Sequence, residues 1–132
     1  MGAWGFEVLT NDTALDLMFD LSKSSCIKKT TYNLLTEAEY LEERLLAVEL
    51  VDISINGVDE SILGGLYDYN DWFQKLTENP MESLREEALK ALVHVKANDN
   101  GWFPAYQRER KVILQKIEER LSKKKRITKQ QC

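Results

Sequence analysis

Carboxylate spacing is the first feature of this 132-residue sequence that could support chemistry. Asp12, Asp16 and Asp20 recur every four residues, so a helix would bring the three side chains onto one face. The expected role of this face is a helix cap followed by a solvated surface. A hard-cation site completed by Glu7 and a contact with a partner protein are the alternatives.

Asp52 and His94 are the remaining candidates for proton transfer. Asp52 continues the apolar stripe of a predicted helix, so it is expected to be buried and paired with Arg44 or another base. A structural pair is the expectation, and a catalytic acid is the alternative. His94 is the sole histidine and has neither a triad motif nor fellow zinc ligands, so it is expected at a helix surface.

The two cysteines do not form a framework for a disulfide or a metal site. Cys26 lies in a polar stretch and Cys132 is the last residue of the sequence, so both are expected to be reduced thiols. Neither has the neighbours of a recognisable nucleophile. The sequence therefore predicts no catalytic residue, no metal and no cofactor.

Acidic residues dominate the middle of the chain. Residues 37–87 hold 14 acidic side chains against three basic ones, whereas residues 122–132 hold five basic side chains and no acidic one. An acidic region repels nucleic acid and attracts a basic partner. The basic tail has no interleaved aromatic residue, and a solubilising role is expected for it. We therefore expect a basic protein partner, no nucleic acid and no membrane.

One predicted loop combines aromatic and acidic side chains. Tyr67 and Tyr69 alternate with Asp68 and Asp71, which suits a basic protein surface because the rings supply contact area and the carboxylates steer association. Together with the other acidic residues of this region, the predicted contact set comprises Glu37, Glu39, Glu42, Glu43, Asp59, Glu60, Tyr67, Asp68, Tyr69, Asp71 and Trp72.

Two capping patterns predict where the longer helices begin. Thr36 and Glu39 form a capping box ahead of a broad apolar series, which indicates a central helix touched from several sides. Asn79, Pro80 and Glu82 are typical of an N-cap, a first and a third helical residue. The predicted helices cover about residues 13–21, 37–53, 70–76, 80–97 and 104–121.

These patterns predict an all-α fold with four longer helices and one short helix. Residues 1–121 are expected to form a single domain, and residues 122–132 a disordered tail. Residues 22–31 are predicted to be a polar connector, and residues 51–55 could be briefly extended. No apolar run approaches the ~20 residues of a membrane span and no signal-peptide pattern is present, so a cytoplasmic location is expected.

The N-terminus combines a framed tryptophan with a helix start. Gly2 and Gly5 allow tight turns on either side of Trp4, whose stabilisation depends on burial. Asn11 and Asp12 then supply N-cap chemistry for the first helix. We therefore interpret this stretch as a structural motif that fastens the N-terminus to the core.

The sequence resembles a bacterial family known as domain of unknown function 4259. Its members typically begin Met-Gly-x-Trp-Gly and continue with Asn-Asp-x-Ala-x-Asp, represented here by Met1, Gly2, Trp4, Gly5, Asn11, Asp12, Ala14 and Asp16. The resemblance implies a short, mostly helical protein and brings no established activity. The tail after Leu121 departs from the family pattern.

Charge, size and the absence of a coherent catalytic set favour a protein-binding function. The leading hypothesis is an immunity or antitoxin-type protein that neutralises a basic partner, such as a bacterial nuclease toxin, through an acidic surface. The alternative is a small enzyme or a ligand- or metal-binding domain, with a site among the tryptophans and Asp12, Asp16 and Asp52. The sequence leaves the oligomeric state open.

The fastening role of the N-terminal motif predicts the effect of one substitution. Trp4→Ala should lower the free energy of unfolding by about 3 kcal/mol, because truncation of a buried tryptophan leaves a cavity. Chemical denaturation of both proteins measures the difference. Unchanged stability combined with lost activity would instead make the motif itself the functional site.

Overall fold

The structure, a computed structural model, describes residues 16, 19–23, 25–58, 70–98 and 104–122. All regular secondary structure in these ranges is helical, which confirms the predicted all-α class. The helices are α1 (Ile27–Glu37), α2 (Leu41–Asn56), α3 (Asn70–Glu78), α4 (Arg85–Asn98) and α5 (Pro104–Ser122), with one 3-10 turn (Glu82–Leu84) ahead of α4.

Helix α2 is the centre of the structure. Every residue from Leu45 to Ser54 is buried, so the helix has no solvent-facing side over ten consecutive positions. Helices α1, α3, α4 and α5 all pack against it. Because a helix that is apolar on every side must be enclosed, the prediction of a central helix is confirmed. The expectation of extended backbone at residues 51–55 is wrong, since α2 continues to Asn56.

Helix α1 occupies part of a segment that was predicted to be a connector. The connector predicted at residues 22–31 ends early, because the chain is helical from Ile27 onward. The buried side of α1 consists of Thr31 and Leu35, four residues apart, with Ile27 and Leu34 partly buried beside them. This spacing is helical. Lys28 and Lys29, which suggested a loop, lie on the exposed side of this amphipathic helix, and Thr31 lies on its buried side.

The capping box predicted from Thr36 and Glu39 is wrong. Thr36 lies inside α1, where its hydroxyl donates to the carbonyl oxygen of Tyr32 at 3.0 Å. Helix α2 begins later, at Leu41, after an N-cap that makes no side-chain hydrogen bond. The turn is closed instead by Arg44.

The guanidinium of Arg44 bonds the end of α1. It donates to the carbonyl oxygens of Leu35 and Ala38, at 2.9 and 2.8 Å. Carbonyl groups in the last turn of a helix have no partner within the helix, so a basic side chain stabilises them. Arg44 thereby holds the start of α2 against the end of α1.

The helix start predicted at Asn79 and Pro80 is displaced by several residues. Helical backbone begins only at the 3-10 turn, and α4 follows from Arg85. Met81 is only 4% exposed, and its amide donates to the hydroxyl oxygen of Ser54 at 2.9 Å. This tertiary contact uses the amide of Met81 as a donor and holds the chain against α2, so the helical backbone starts only after Met81.

Two arginine–carboxylate pairs place α5 parallel to α2. Arg110 donates to Glu42 at 2.9 Å, and Arg120 donates to both carboxylate oxygens of Asp52, at 2.8 and 2.9 Å. Each pair joins residues 68 positions apart, so the two helices run in the same direction. The two pairs are separated by ten residues along each helix, which is roughly 15 Å. Arg85 donates to the carbonyl oxygen of Leu121 and ties the start of α4 to the end of α5.

Several predictions fall wholly or partly outside the described residues. Asp16 and residues 19–21 are helical, as expected for the first predicted helix, and Leu21 is buried. The N-terminal motif residues Gly2, Trp4, Gly5, Asn11 and Asp12 lie outside the described part of the chain, as do residues 123–132.

The burial pattern of α4 allows a matched test of the core. Val95 is fully buried, whereas Val93, two residues earlier on the same helix, is 63% exposed. Val95→Ala should lower the free energy of unfolding by about 2 kcal/mol, through lost methyl burial and the cavity that remains. Val93→Ala should leave stability unchanged or slightly raised, because alanine has the higher helix propensity. Urea denaturation compares them, and equal losses would contradict the assigned packing of α4.

Candidate partner-binding surface

The turn between α1 and α2 gathers carboxylates around an exposed aromatic ring. Glu37 and Glu39 are exposed, Glu43 is half-buried, and Tyr40 is 60% exposed. We call these four residues the acidic turn. Tyr40 was not in the predicted contact set, although its place between Glu39 and Glu42 repeats the acidic and aromatic pattern predicted for residues 67–71.

Two basic side chains near the acidic turn, Arg44 and Arg110, are used in contacts within the protein. Arg44 is half-buried and bonds backbone carbonyl oxygens, and Arg110 is only 1% exposed. Arg110 also forms an ion pair with Glu42, which is 25% exposed. Glu42 therefore serves as an internal partner of α5, and the negative charge of the acidic turn comes from Glu37, Glu39 and Glu43.

The structure separates Asp71 and Trp72 from the acidic turn. Both lie on α3, with Asp71 exposed and Trp72 half-buried against the core, its ring centroid 5.7 Å from that of Phe73. Trp72 lines a groove with Ile27, which begins α1, whereas Glu37 ends α1. The ten residues between these positions span roughly 15 Å of helix. Five members of the predicted contact set lie outside the described residues: Asp59, Glu60, Tyr67, Asp68 and Tyr69.

Asp52 is a buried structural carboxylate. Its side chain is fully buried and accepts hydrogen bonds from Arg120 and from the Asn56 amide, the latter at 2.9 Å. The base is Arg120, because Arg44 is used at the end of α1. Arg120 also donates to the carbonyl oxygen of Gly57, where the backbone has a φ of 88°. Asp52 is thus enclosed by the contacts that end α2.

A second carboxylate in the core was missed by the sequence analysis. Glu49 is fully buried on α2, three residues before Asp52, and Thr31 of α1 is also fully buried. The signal was available, because Glu49 stands between Val48 and Leu50 in a helix that is apolar on all sides. A charged residue at such a position has to lie inside the protein or interrupt the core.

The other sequence candidates lie at the surface. His94 is exposed on α4, as predicted, and the Cys26 thiol is exposed and reduced. Asp16 and Asp20 are both exposed, which agrees with a solvated face. Within the described ranges, no three His, Cys, Asp or Glu side chains are grouped so as to hold a metal ion. None of the described helices combines the length and apolarity required to cross a membrane.

The described residues define a small all-α protein built around the enclosed helix α2. Residues 2–118 match the model of the family called Domain of unknown function (DUF4259), and the chain belongs to that family. The predicted family membership is thus confirmed. No curated protein and no solved structure matches the chain.

The Asp52–Arg120 pair predicts an asymmetric response to mutation. Arg120→Met should lower the free energy of unfolding by about 3–5 kcal/mol, because it leaves a buried carboxylate without its base. Asp52→Asn should cost less, since Arg120 is 21% exposed and retains access to water. Replacing both, as Asp52→Leu with Arg120→Met, should recover part of the loss. Thermal and urea denaturation measure the stability of the three variants. The largest loss of stability in Asp52→Asn would exclude a buried Asp52 that depends on Arg120.

Proposed function

We propose that this protein binds a basic protein partner through the acidic turn, as an immunity or antitoxin-type protein that neutralises a toxin. The observation that carries the proposal is the 60% exposure of Tyr40 beside the exposed side chains of Glu37 and Glu39. A tyrosine ring supplies a large contact area when a partner covers it. The flanking carboxylates accelerate encounter with a basic surface and disfavour acidic partners.

The internal bonds of the acidic turn support this role. Arg44 binds the last carbonyl groups of α1, and Arg110 holds Glu42, so both ends of the turn are attached to the core. A surface that is already ordered loses less conformational freedom when it binds. The contacts of Tyr40 and the neighbouring carboxylates with a partner then do not have to offset the entropy of ordering the turn.

A nuclease is a suitable class of partner because its active surface has to attract phosphate groups. Such a surface carries clustered Lys and Arg side chains. Glu37, Glu39 and Glu43 would compete for these cations with the nucleic acid substrate. Asp71 and Trp72 belong to α3, and Trp72 lies near the first residue of α1, at the opposite end of that helix from Glu37, so neither is required for this contact.

Charge reversal tests the proposal against the protein encoded by the neighbouring gene. The variant Glu37→Lys, Glu39→Lys, Glu43→Lys should weaken association with that protein by about 100-fold, because steering becomes repulsion. Tyr40→Ala alone should weaken it by about 30-fold, as expected for an interface hot spot. Calorimetry measures the affinity, and rescue of growth on co-expression measures neutralisation.

A matched control carries the same change of charge at the far end of α2. Glu78, Glu86 and Glu119 are exposed, and all lie near the segments that contact Ser54 or end α5. Their reversal to lysine should leave association within about threefold of the parent. If both triple variants lose binding equally, the acidic turn is not the contact. If the parent neither binds nor protects, the immunity-type function is wrong.

A further inference from the structure

A groove of about 730 Å³ lies at the opposite end of the protein from the acidic turn. Its walls are the first residues of α1, one face of α3 and the segment that leads to the 3-10 turn. Met81 lines it and donates its amide to Ser54, which places the groove beside the last turn of α2. From Tyr40 to Ser54 the axis of α2 advances by roughly 20 Å.

The apolar part of the groove is continuous with the core. Leu76 and Met81 are 7% and 4% exposed, and Trp72 is half-buried next to them. Trp72 and Leu76 are separated by one turn of α3, so they form a single apolar surface, faced by Ile27 of α1. An aromatic or aliphatic body placed here would displace water from Trp72.

Two lysines stand at this apolar surface, one on each wall. Lys75 follows Trp72 by three residues on α3, and Lys28 belongs to the first turn of α1. Among the described lining residues Glu78 is the one carboxylate, so together they carry a net charge of about +1 at neutral pH. A lining with two lysines favours a ligand with an anionic group, and a polyanion would also meet Glu78.

The start of α1 adds to the positive potential. The first turn of α1 contains no acidic residue, and Cys26 at the N-cap makes no side-chain hydrogen bond to it. Lys28 therefore adds its charge to the positive end of the helix dipole. This contribution is secondary to Lys75 and Trp72, which come from a different helix.

We propose that this groove binds a small organic anion with an apolar or aromatic body and a single acidic head group. The body lies against Trp72, Leu76 and Met81, and the head group lies between Lys28 and Lys75. The volume is within the range of small-molecule sites, about 300–1,000 Å³. The groove shares no residue with the acidic turn, so this binding and the proposed function can fail independently.

A pair of dyes that differ in charge tests the groove. The probes are 8-anilino-1-naphthalenesulfonate, which is anionic, and N-phenyl-1-naphthylamine, which has a similar ring system and no sulfonate. Fluorescence titration of the full chain should give one site, with the anionic dye bound about tenfold more tightly. Amide shifts in NMR spectra should change at residues 27–28 and 72–81.

Variants of exposed lysines separate the groove from general attraction to positive charge. Lys28→Glu with Lys75→Glu should weaken binding of the anionic dye by at least about tenfold and leave the affinity for the neutral dye nearly unchanged. The matched control, Lys29→Glu with Lys90→Glu, changes the charge equally at exposed positions outside the lining, and should leave both dyes unaffected. Thermal unfolding verifies folding, and Lys28→Gln with Lys75→Gln replaces any reversal variant that does not fold.

Three results would overturn the proposal. Equal affinity for the two dyes would mean that the lysines do not select an anion. Equal loss in the groove and control variants would mean that binding follows overall charge. Shift changes centred outside residues 27–28 and 72–81 would place the dye elsewhere.

Discussion

The enclosure of α2 is the constraint on which the rest of the structure depends. Ten consecutive buried residues require an apolar surface from every neighbouring helix, and they also carry Glu49 and Asp52 into the interior. A buried carboxylate is costly unless a base and further donors compensate it. Asp52 obtains these from Arg120 and Asn56, so the end of α5 must lie beside the end of α2. A one-residue rotation of α5 would turn Arg120 away by about 100°.

The parallel register of α2 and α5 gives the two ends of the protein different surfaces. At one end, Arg110 binds Glu42 and Arg44 binds the end of α1, so these two arginines are used inside the protein, while Glu37 and Glu39 stay exposed beside Tyr40. At the other end, Ser54 holds Met81, and the residues that precede α4 line one groove with Trp72. The same ordering that stabilises the core thus places an acidic surface and a lysine-lined groove roughly 20 Å apart.

Helices were easier to predict from sequence than their first residues. Helix α2 was easy to recognise because apolar residues lie on every side of it. Helix α4 was recognised from an apolar stripe at helical spacing on one side. Helix α1 was harder to recognise, since only Thr31 and Leu35 are fully buried and most of the other residues are polar. Both predicted caps were wrong because Thr36 and Met81 take part in other contacts, and local propensity cannot weigh such contacts against a cap.

The sequence by itself determined the all-α class, the family, the central position of α2 and the burial of Asp52, because helical periodicity and composition act over short distances along the chain. Only the tertiary structure decided that Arg120 is the base for Asp52, that Glu42 pairs with Arg110, and that Tyr40 is exposed. The two ion pairs join residues 68 positions apart, and such pairs depend on how helices pack. For the same reason, the described members of the predicted contact set were divided between the two ends of α1 by packing that no local pattern encodes.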